Sequence, residues 1–296
     1  MAQLYASKKA RLTHRAAGSC GSARLPFAAL QQFLLGANVA TVIKRVVFNQ
    51  KGGVGKSTIT CNLAALSAAA GRRTLVIDLD PQGNSSQYLL GTGATDVPGA
   101  VDFFRQMVEF TGSNRPLSDY IHATPSDLLS IVPAAPALLE LQAKLESRYK
   151  IYKLRDALLG MTDYDAIFID TPPALGFFTR SALIAADRCL IPFDCDSFSR
   201  QALYSLMREV DEIVEDHNSA LKIEGIVVNQ FQERARLPRE LVDALKAEGL
   251  PVLDQYLAVS VKVRESHQAA QPLIDFAPQH KLTLQYRALY DSLAHA

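Results

Sequence analysis

The stretch that decides the fold reads Lys51-Gly52-Gly53-Val54-Gly55-Lys56-Ser57-Thr58. It follows an apolar run at 46–48 and precedes a helix-like stretch at 59–70. A glycine-rich turn between a strand and a helix exposes backbone N–H groups and directs a helix N-terminus at its contents, which suits a phosphate chain. Lys56 can reach the β- and γ-phosphates of a nucleotide, and the Ser57 hydroxyl can bind Mg²⁺. The sequence therefore predicts a nucleotide-phosphate site.

The loop departs from the ordinary phosphate-loop pattern at one position. That pattern has a glycine five residues before Gly55, whereas this chain has Gln50, followed by an additional lysine, Lys51. The variant KGGVGKST resembles the deviant Walker A loop of the ParA/MinD family of ATPases. The resemblance implies that ATP and Mg²⁺ bind here, and that Lys51 reaches the nucleotide of a partner subunit in an ATP-sandwiched homodimer. A second cation near the phosphates can stabilise transition-state charge, as an arginine finger does. The expected nucleotide contacts in the loop are Gly52, Gly53, Val54, Gly55, Lys56, Ser57 and Thr58.

Length and composition indicate a globular protein. The chain has 296 residues, of which 48% are hydrophobic and 21% charged, within the range of one α/β domain. It has no run of about 18 apolar residues, so no transmembrane helix is predicted. Its four cysteines lack CxxC or zinc-type spacing and are typical of reduced thiols in a cytosolic protein. We expect a cytoplasmic protein, which DNA binding would bring to the nucleoid.

The net charge of +1 hides an asymmetry. Residues 1–77 contain eleven of the 31 cations and no acid. The other 20 cations share residues 78–296 with all 30 acids, a net charge of −10. Global charge therefore does not attract the globular part to nucleic acid, and any DNA binding must come from a local patch or the N-terminal arm.

Residues 1–41 are basic, rich in Ser and Ala, and free of acids. Composition leaves three interpretations open: a targeting peptide, a basic nucleic-acid-binding arm, and a disordered extension or a translation start assigned too far upstream. The third is favoured, because proteins that resemble this one usually begin near Val42. We expect a single ParA-like ATPase domain over residues 42–296.

After the loop, short apolar runs alternate with longer helical stretches, as in βαβ units. This pattern predicts an α/β fold with a mostly parallel sheet and helices on both faces, and the loop makes it of the P-loop type. The stretch 91–126 is interpreted as an insertion beside the core. Predicted strands are Lys44–Asn49, Thr74–Asp78, Leu128–Pro133, Ala166–Asp170, Cys189–Pro192 and Ile223–Asn229. Predicted helices are Lys56–Ala70, Ala100–Phe110, Ala137–Glu146, Ile151–Leu159, Thr179–Ala186, Arg200–Glu215, Arg239–Glu248 and Leu282–Leu293.

An acidic motif follows the second predicted strand and reads Asp78-Leu79-Asp80-Pro81-Gln82-Gly83-Asn84. Carboxylates at i and i+2 lie on one side of an extended chain. The residues alone also fit a polar turn after a strand. The motif matches the DxDPQGN of the ParA/MinD family, and the resemblance implies that Asp80 positions or polarises the attacking water. Asp78 is expected to support the metal region.

Two further strands end in polar side chains. An apolar strand ending in Asp170 is what a Walker-B aspartate requires, and its continuation at 171–173 resembles the family's switch loop that senses the γ-phosphate. Ser57 is therefore expected to bind Mg²⁺ directly and Asp170 to act through metal-bound water. A later strand ends in Asn229, which by resemblance contacts adenine, although a turn asparagine stays open. The segment 259–266 resembles the one that closes over the base.

A group of cations follows the Asn229 strand and comprises Arg234, Arg236, Arg239, Lys262 and Arg264. Resemblance to the ATPases of DNA partition implies that such a surface binds DNA nonspecifically in the ATP dimer. Contacts of this kind weaken steeply with salt. Acids lie between these cations in the sequence, so an ordinary solvated surface stays open.

Two related branches are disfavoured. A MinD-like membrane helix would be basic, but only two cations accompany the apolar stripe of the C-terminal helix, which favours core packing and no membrane contact. The spacing of Cys189 and Cys195 fits no iron–sulfur cluster. The stripe consists of Leu282, Tyr286, Leu289 and Leu293.

The favoured function is an ATP-hydrolysing dimerisation switch that partitions chromosomal or plasmid DNA, with slow turnover stimulated by a ParB-like partner. The same fold supports other outputs. The alternative is a ParA-like ATPase that positions a non-DNA cargo, such as a chemosensory array, a secretion apparatus or a polysaccharide-synthesis complex, through protein–protein contacts.

Overall fold

The structure is a computed structural model that describes residues 42–94, 96–109, 115–195 and 199–294. The interpretations of residues 1–41 lie outside the described residues. The strands are β1 (Ile43–Val47), β2 (Thr74–Asp78), β3 (His122–Ala123), β4 (Leu129–Val132), β5 (Ala166–Asp170), β6 (Arg188–Phe193) and β7 (Lys222–Val228). They form one seven-stranded sheet in the order β3-β4-β2-β5-β1-β6-β7.

The sheet is parallel except at one edge, where β3 pairs with β4 in the antiparallel sense. Parallel neighbours require crossover connections, which the intervening helices supply. In the sheet, β5 lies between β1 and β2, so the end of β5 is adjacent both to the phosphate loop and to the acidic motif. The predicted fold class, a mostly parallel sheet of the P-loop type, is confirmed.

Helices connect the strands and cover both faces of the sheet. They are α1 (Lys56–Ala69), α2 (Asn84–Leu90), α3 (Ala100–Arg105), α4 (Leu138–Ser147), α5 (Lys153–Leu158), α6 (Phe177–Ala185), α7 (Ser199–Asp216), α8 (Arg236–Ala247), α9 (Lys262–Gln268), α10 (Leu273–Phe276) and α11 (Lys281–Ala294). A short 3₁₀ helix spans Leu117–Tyr120. The α2 and α10 helices were not predicted, and α3 ends at Arg105, earlier than expected.

Alternate residues of the central strands belong to two separate hydrophobic cores. Val46 packs in one core with α6 and α7, whereas Val47 packs in the other with α1 and α11. This is the period of two that a strand imposes on its side chains, and burial on both faces explains why the strands are apolar throughout. The sheet is therefore held rigid from both sides, and the loops at its carboxyl edge are free to form a site.

The fold tests two predictions that concern residues outside the site. The stretch 91–126 is not only an insertion beside the core, because its strand β3 extends the sheet and its Phe103 and Phe104 are buried in the core. The apolar stripe of α11 is buried, as predicted, with Leu282, Tyr286, Leu289 and Leu293 each at most 5% exposed. Among the described residues, no helix is long and apolar enough to cross a membrane.

Candidate nucleotide and metal site

The phosphate loop lies between the carboxyl end of β1 and the first turn of α1. Gly53 and Gly55 have φ values of 76° and 92°, in the left-handed region that favours glycine. Helix α1 begins immediately after the loop, where the Ile59 N–H donates to the Gly55 carbonyl at 2.9 Å. The N-terminus of a fourteen-residue helix is thus directed at the loop, as phosphate binding requires.

Lys56 folds back across the loop. Its Nζ donates to the carbonyl of Lys51 at 3.1 Å, and only 7% of the residue is exposed. Burial lowers the pKa of this ammonium, while the negative charges of Asp170 and Asp80 raise it. The side chain therefore lies among the carboxylates of the site, in the position predicted for a phosphate-binding lysine.

Asp170 has one carboxylate oxygen that is bound and one that is not. Its Oδ2 accepts a hydrogen bond from the Ser85 hydroxyl at 2.7 Å. Its Oδ1 is buried without a hydrogen-bond partner among the described residues. Burial raises the pKa of Asp170 to about 6, and hydrogen bonding from Ser57 and Ser85 opposes this shift. The Ser57 hydroxyl thus lies close enough to the carboxyl to affect its pKa.

An unpaired carboxylate oxygen of this kind is expected at a site that binds a metal. A buried, unpaired carboxylate oxygen is costly, and a cation or its bound water removes that cost. Hydroxyl and carboxylate oxygens are also the ligands that Mg²⁺ prefers, usually with several waters retained. Ser57 and Asp170 therefore fit the metal that the sequence predicts, while their assignment as its ligands stays a prediction.

Asp78 holds the backbone of the acidic motif. One of its oxygens accepts the Asp80 N–H at 3.0 Å, and the other accepts both the N–H and the hydroxyl of Ser86, at 2.9 and 2.7 Å. Burial, and then the neighbouring Asp170, raise the pKa of Asp78 well above its usual range. Asp78 and Asp170 are register partners on β2 and β5. The observed contacts of Asp78 are thus to the Asp80 loop and α2.

Asp80 lies in the loop between β2 and α2. Its Oδ1 accepts the Gln82 N–H at 2.9 Å, and the residue is 6% exposed. Burial raises its pKa, while the Gln82 hydrogen bond and the charge of Lys56 lower it. The structure therefore brings Asp80 towards the phosphate loop, where a water-positioning carboxylate would be needed, and that role stays a prediction.

Asn229 follows β7 and contacts the phosphate loop. Its Nδ2 donates to the carbonyl of Val54 at 2.8 Å, and the residue is 8% exposed. The next residue, Gln230, donates from Nε2 to the carbonyl of Gly53, also at 2.8 Å. Contact between Asn229 and adenine stays a prediction, whereas the loop contact of Gln230 was not predicted.

Lys51 lies at the rim of the loop, with 42% of its side chain exposed. Its Nζ forms an ion pair of 2.7 Å with Asp194, which follows β6 in the same chain. Its N–H also donates to the Asn49 side chain at 2.8 Å. The two lysines of the loop therefore differ, since Lys56 crosses the loop and Lys51 lies at its outer surface.

Sequence reasoning missed a group of side chains that connects three helices beside the loop. The Thr58 hydroxyl, expected at the nucleotide, lies 3.0 Å from Nε2 of His267 on α9. The His267 ring stacks on Tyr88 of α2, with centroids 3.8 Å apart and planes 10° apart. The Tyr88 hydroxyl in turn lies 2.9 Å from that of Ser266. The segment 259–266 ends one residue before His267, and these contacts are long-range, so no local pattern pointed to them.

The candidate DNA-binding cations lie beyond this site, after β7 and on α8 and α9. Two of them are paired with acids: Arg236 with Glu240 at 2.6 Å and Lys262 with Glu265 at 2.6 Å. The others, Arg234, Arg239 and Arg264, are exposed.

A phosphate loop after β1 of a mostly parallel sheet, with aspartates ending the next two strands of the sheet, β5 and β2, defines a P-loop nucleoside triphosphatase. Residues 41–223 match the protein-family model described as AAA domain. The chain is 35% identical over 246 residues to the chromosome partitioning protein ParA of Myxococcus xanthus, covering 82% of this chain and 84% of that protein. It is 30% identical over 240 residues to the sporulation initiation inhibitor protein Soj of Bacillus subtilis, covering 79% and 91%. The chain belongs to the ParA/Soj family of P-loop ATPases.

A solved structure has a similar fold. The cobyrinic acid a,c-diamide synthase of Mycobacterium smegmatis, with bound ATP analogue and magnesium, is 25% identical and superposes with a TM-score of 0.74. The match covers 86% of this chain and 95% of that one.

Proposed function

We propose that this ATPase is a dimerisation switch that partitions DNA, and that residues 42–296 form its single domain. The observation that carries the proposal is the difference between the two loop lysines. Lys56 is buried across its own loop, whereas Lys51 is exposed at the rim and paired with Asp194. A cation at the rim suits the phosphates of a second copy better than those of its own site. Relatives named for chromosome partitioning support DNA as the cargo over the non-DNA alternative.

The residues divide the chemistry between them. Lys56 neutralises charge on the phosphates, and the loop N–H groups with the N-terminus of α1 bind their oxygens. Ser57 and Asp170 would hold Mg²⁺, which supplies positive charge to the nucleotide. Asp80 orients the attacking water, and Lys51 of one subunit stabilises charge at the other site. A closed dimer would therefore be required for hydrolysis.

The resulting cycle couples ATP to DNA. ATP assembles a homodimer, the dimer binds DNA nonspecifically, and a ParB-like partner stimulates slow hydrolysis that releases it. In this proposal the protein works in the cytoplasm and on the nucleoid, without membrane contact. The DNA surface would include Arg234, Arg239 and Arg264, which are exposed.

The test measures mass by light scattering with ATP or ADP, with and without duplex DNA. Wild type should form a dimer with Mg-ATP alone, and only that dimer should bind duplex at low salt. Asp80→Ala should bind ATP, fail to hydrolyse it and accumulate as a dimer. A wild type that stays monomeric with ATP contradicts the switch. A dimer without duplex binding contradicts DNA as the cargo, and ordinary turnover in Asp80→Ala contradicts its role.

A further inference from the structure

Two consecutive amide side chains at the end of β7 bind two consecutive carbonyls of the phosphate loop. Asn229 donates to Val54 and Gln230 donates to Gly53, each at 2.8 Å. The strand end that presents them is fixed on both sides. The N–H of Asn229 donates to Phe193 of β6 at 2.8 Å, and the N–H of Phe231 donates to the carbonyl of Leu257 at 2.9 Å.

These hydrogen bonds orient the peptide planes of the loop. In a trans peptide the C=O and the following N–H point in opposite directions, and the described residues contain no cis peptide. When the carbonyls of Gly53 and Val54 point towards β7, the N–H groups of Val54 and Gly55 must point away from it, into the hollow of the loop. A run of N–H groups directed at one point forms a nest for an anion.

The contact is close enough to exclude a side chain from the loop. A Cβ placed on Gly55 would lie 2.3 Å from Nδ2 of Asn229, nearer than two such atoms can approach. Glycine at position 55 suits its φ of 92°, and a side chain there would also displace the Asn229 amide from the loop. The phosphate loop and the end of β7 thus fit each other as one unit.

Gln230 adopts a backbone conformation that its own side chain disfavours. Its φ is 54°, in the left-handed region where a Cβ is strained. Its side chain is exposed, so core packing does not explain why a glutamine occupies this position. Strain at a non-glycine residue persists where surrounding contacts impose it, and such sites cluster at functional positions. The contact that its side chain makes is the one to Gly53.

We propose that Gln230 is a positioning residue of the ATP site, which together with Asn229 holds the N–H groups of Val54 and Gly55 towards the phosphates before ATP arrives. The Gln230 contact would preorganise the loop, because a loop that is already ordered loses less conformational freedom when ATP binds. The proposal rests on the proposed function insofar as ATP binds at this loop. It adds a residue that acts on the loop and not on the nucleotide.

The test separates backbone strain from the side-chain contact. Gln230→Gly removes both, so the apo protein should melt at the same temperature or higher while ATP binds about three- to tenfold more weakly, the range for one lost hydrogen bond. Gln230→Met keeps the length of the side chain without the amide and should weaken ATP binding equally without any gain in melting temperature. The KM for ATP should rise in both variants while kcat at saturating ATP stays close to that of wild type.

A matched control is available at Leu128, which has a φ of 59° and precedes β4 at the opposite edge of the sheet. Leu128→Gly relieves the same kind of strain and should leave the affinity for ATP unchanged. If wild type binds ATP and both Gln230→Gly and Gln230→Met bind it equally well, this inference is wrong while the proposed function stands. If wild type itself fails to bind ATP, the proposed function fails and this inference with it.

Discussion

At the scale of single residues, the two loop lysines differ in the free energy needed to move each side chain from its present position. The ion pair of Lys51 with Asp194 lies at the surface, where such pairs contribute about 0–1 kcal/mol. This ion pair therefore adds little free energy that would oppose transfer of the Lys51 ammonium to a phosphate on a second subunit. Lys56 is buried and lies across its own loop, where the phosphates of a nucleotide bound to the same subunit would lie. In the proposed dimer, each subunit would thus use Lys56 for its own nucleotide and Lys51 for that of its partner.

Substitution of each lysine should therefore have a different effect. Lys56→Ala should abolish ATP binding, because a charge-assisted contact in a buried site is lost. The affinity for ATP should fall at least about tenfold. Lys51→Ala should leave ATP binding by the monomer within about twofold, since the side chain lies at the rim of its own loop, but it should prevent the ATP-dependent dimer and its turnover. Titration with a fluorescent ATP analogue and light scattering measure the two effects. Asp194→Ala breaks the same ion pair while keeping Lys51, and serves as the control. Equal loss of monomer binding in both lysine variants would place Lys51 in its own site.

At the scale of elements, α9 is connected to the phosphate loop through His267. Its ring lies between the Thr58 hydroxyl of α1 and the aromatic face of Tyr88 of α2. Asn62 of α1 extends this junction, since its Nδ2 lies 3.3 Å from the Tyr88 hydroxyl and its Oδ1 accepts the Leu273 N–H at 2.8 Å. A change in the loop can therefore reach α9 and α10 through direct contacts.

The His267 junction should make stability depend on pH. Burial lowers the pKa of His267 below its usual 6.5, and the other titratable ring against it, Tyr88, has a pKa raised to about 12 and stays neutral. Because the unfolded chain takes up a proton near pH 6.5 and the folded chain resists it, stability is lost as the pH falls below that value. Melting temperatures of wild type should thus fall more steeply between pH 7 and pH 5.5 than those of His267→Gln. At pH 8 the imidazole is neutral in both states, so the difference there reports only lost contacts. Parallel curves over the whole range would show that His267 does not titrate on unfolding.

Local pattern predicted most of the elements that carry the site. Strands β2 and β5 have the predicted bounds, because each is a continuous apolar run closed by an aspartate. The order of the strands could not be read from the sequence, since it depends on long-range pairing. Helix α2 was missed because it has only seven residues and Asp78, a residue outside the helix, binds its first turn through Ser86. Strand β3 was missed because its two residues are a strand only by pairing with β4.

The residues of the candidate site likewise fall into two groups: those that a local motif predicts and those that only the tertiary fold brings together. Lys56, Asp80 and Asp170 could be predicted from the sequence because their signal is a local motif at the end of a strand. Gln230 and His267 were missed because each contacts the phosphate loop or its helix from more than 170 residues away in the chain. Neither belongs to a motif, and only the tertiary fold shows what it contacts.

At the scale of the whole molecule, charge is distributed unevenly. Residues 78–296 carry a net charge of −10, yet the segment after β7 presents exposed arginines. Glu233 lies among them: its pKa is lowered mainly by its ion-pair partner Lys281, and further by Arg239 and Arg234. These arginines follow the carboxyl end of β7. Its amino end, at the edge of the sheet opposite the phosphate loop, begins with exposed Lys222. DNA binding by this acidic body would therefore be local, and one end of β7 can be compared with the other.

The double variant Arg234→Ala/Arg239→Ala should weaken duplex binding by the ATP-bound protein without changing dimerisation. Each phosphate contact releases about 0.9 counterions, so the slope of log affinity against log salt concentration should become shallower by about 2. Fluorescence anisotropy of a labelled duplex between low and physiological salt measures that slope. Lys222→Ala removes an exposed cation at the other end of β7 and should leave the slope unchanged. Arg236→Ala should have a smaller effect than Arg234→Ala, because Arg236 is already paired with Glu240. An unchanged slope in the double variant, with wild-type binding intact, would place the DNA surface elsewhere on the dimer.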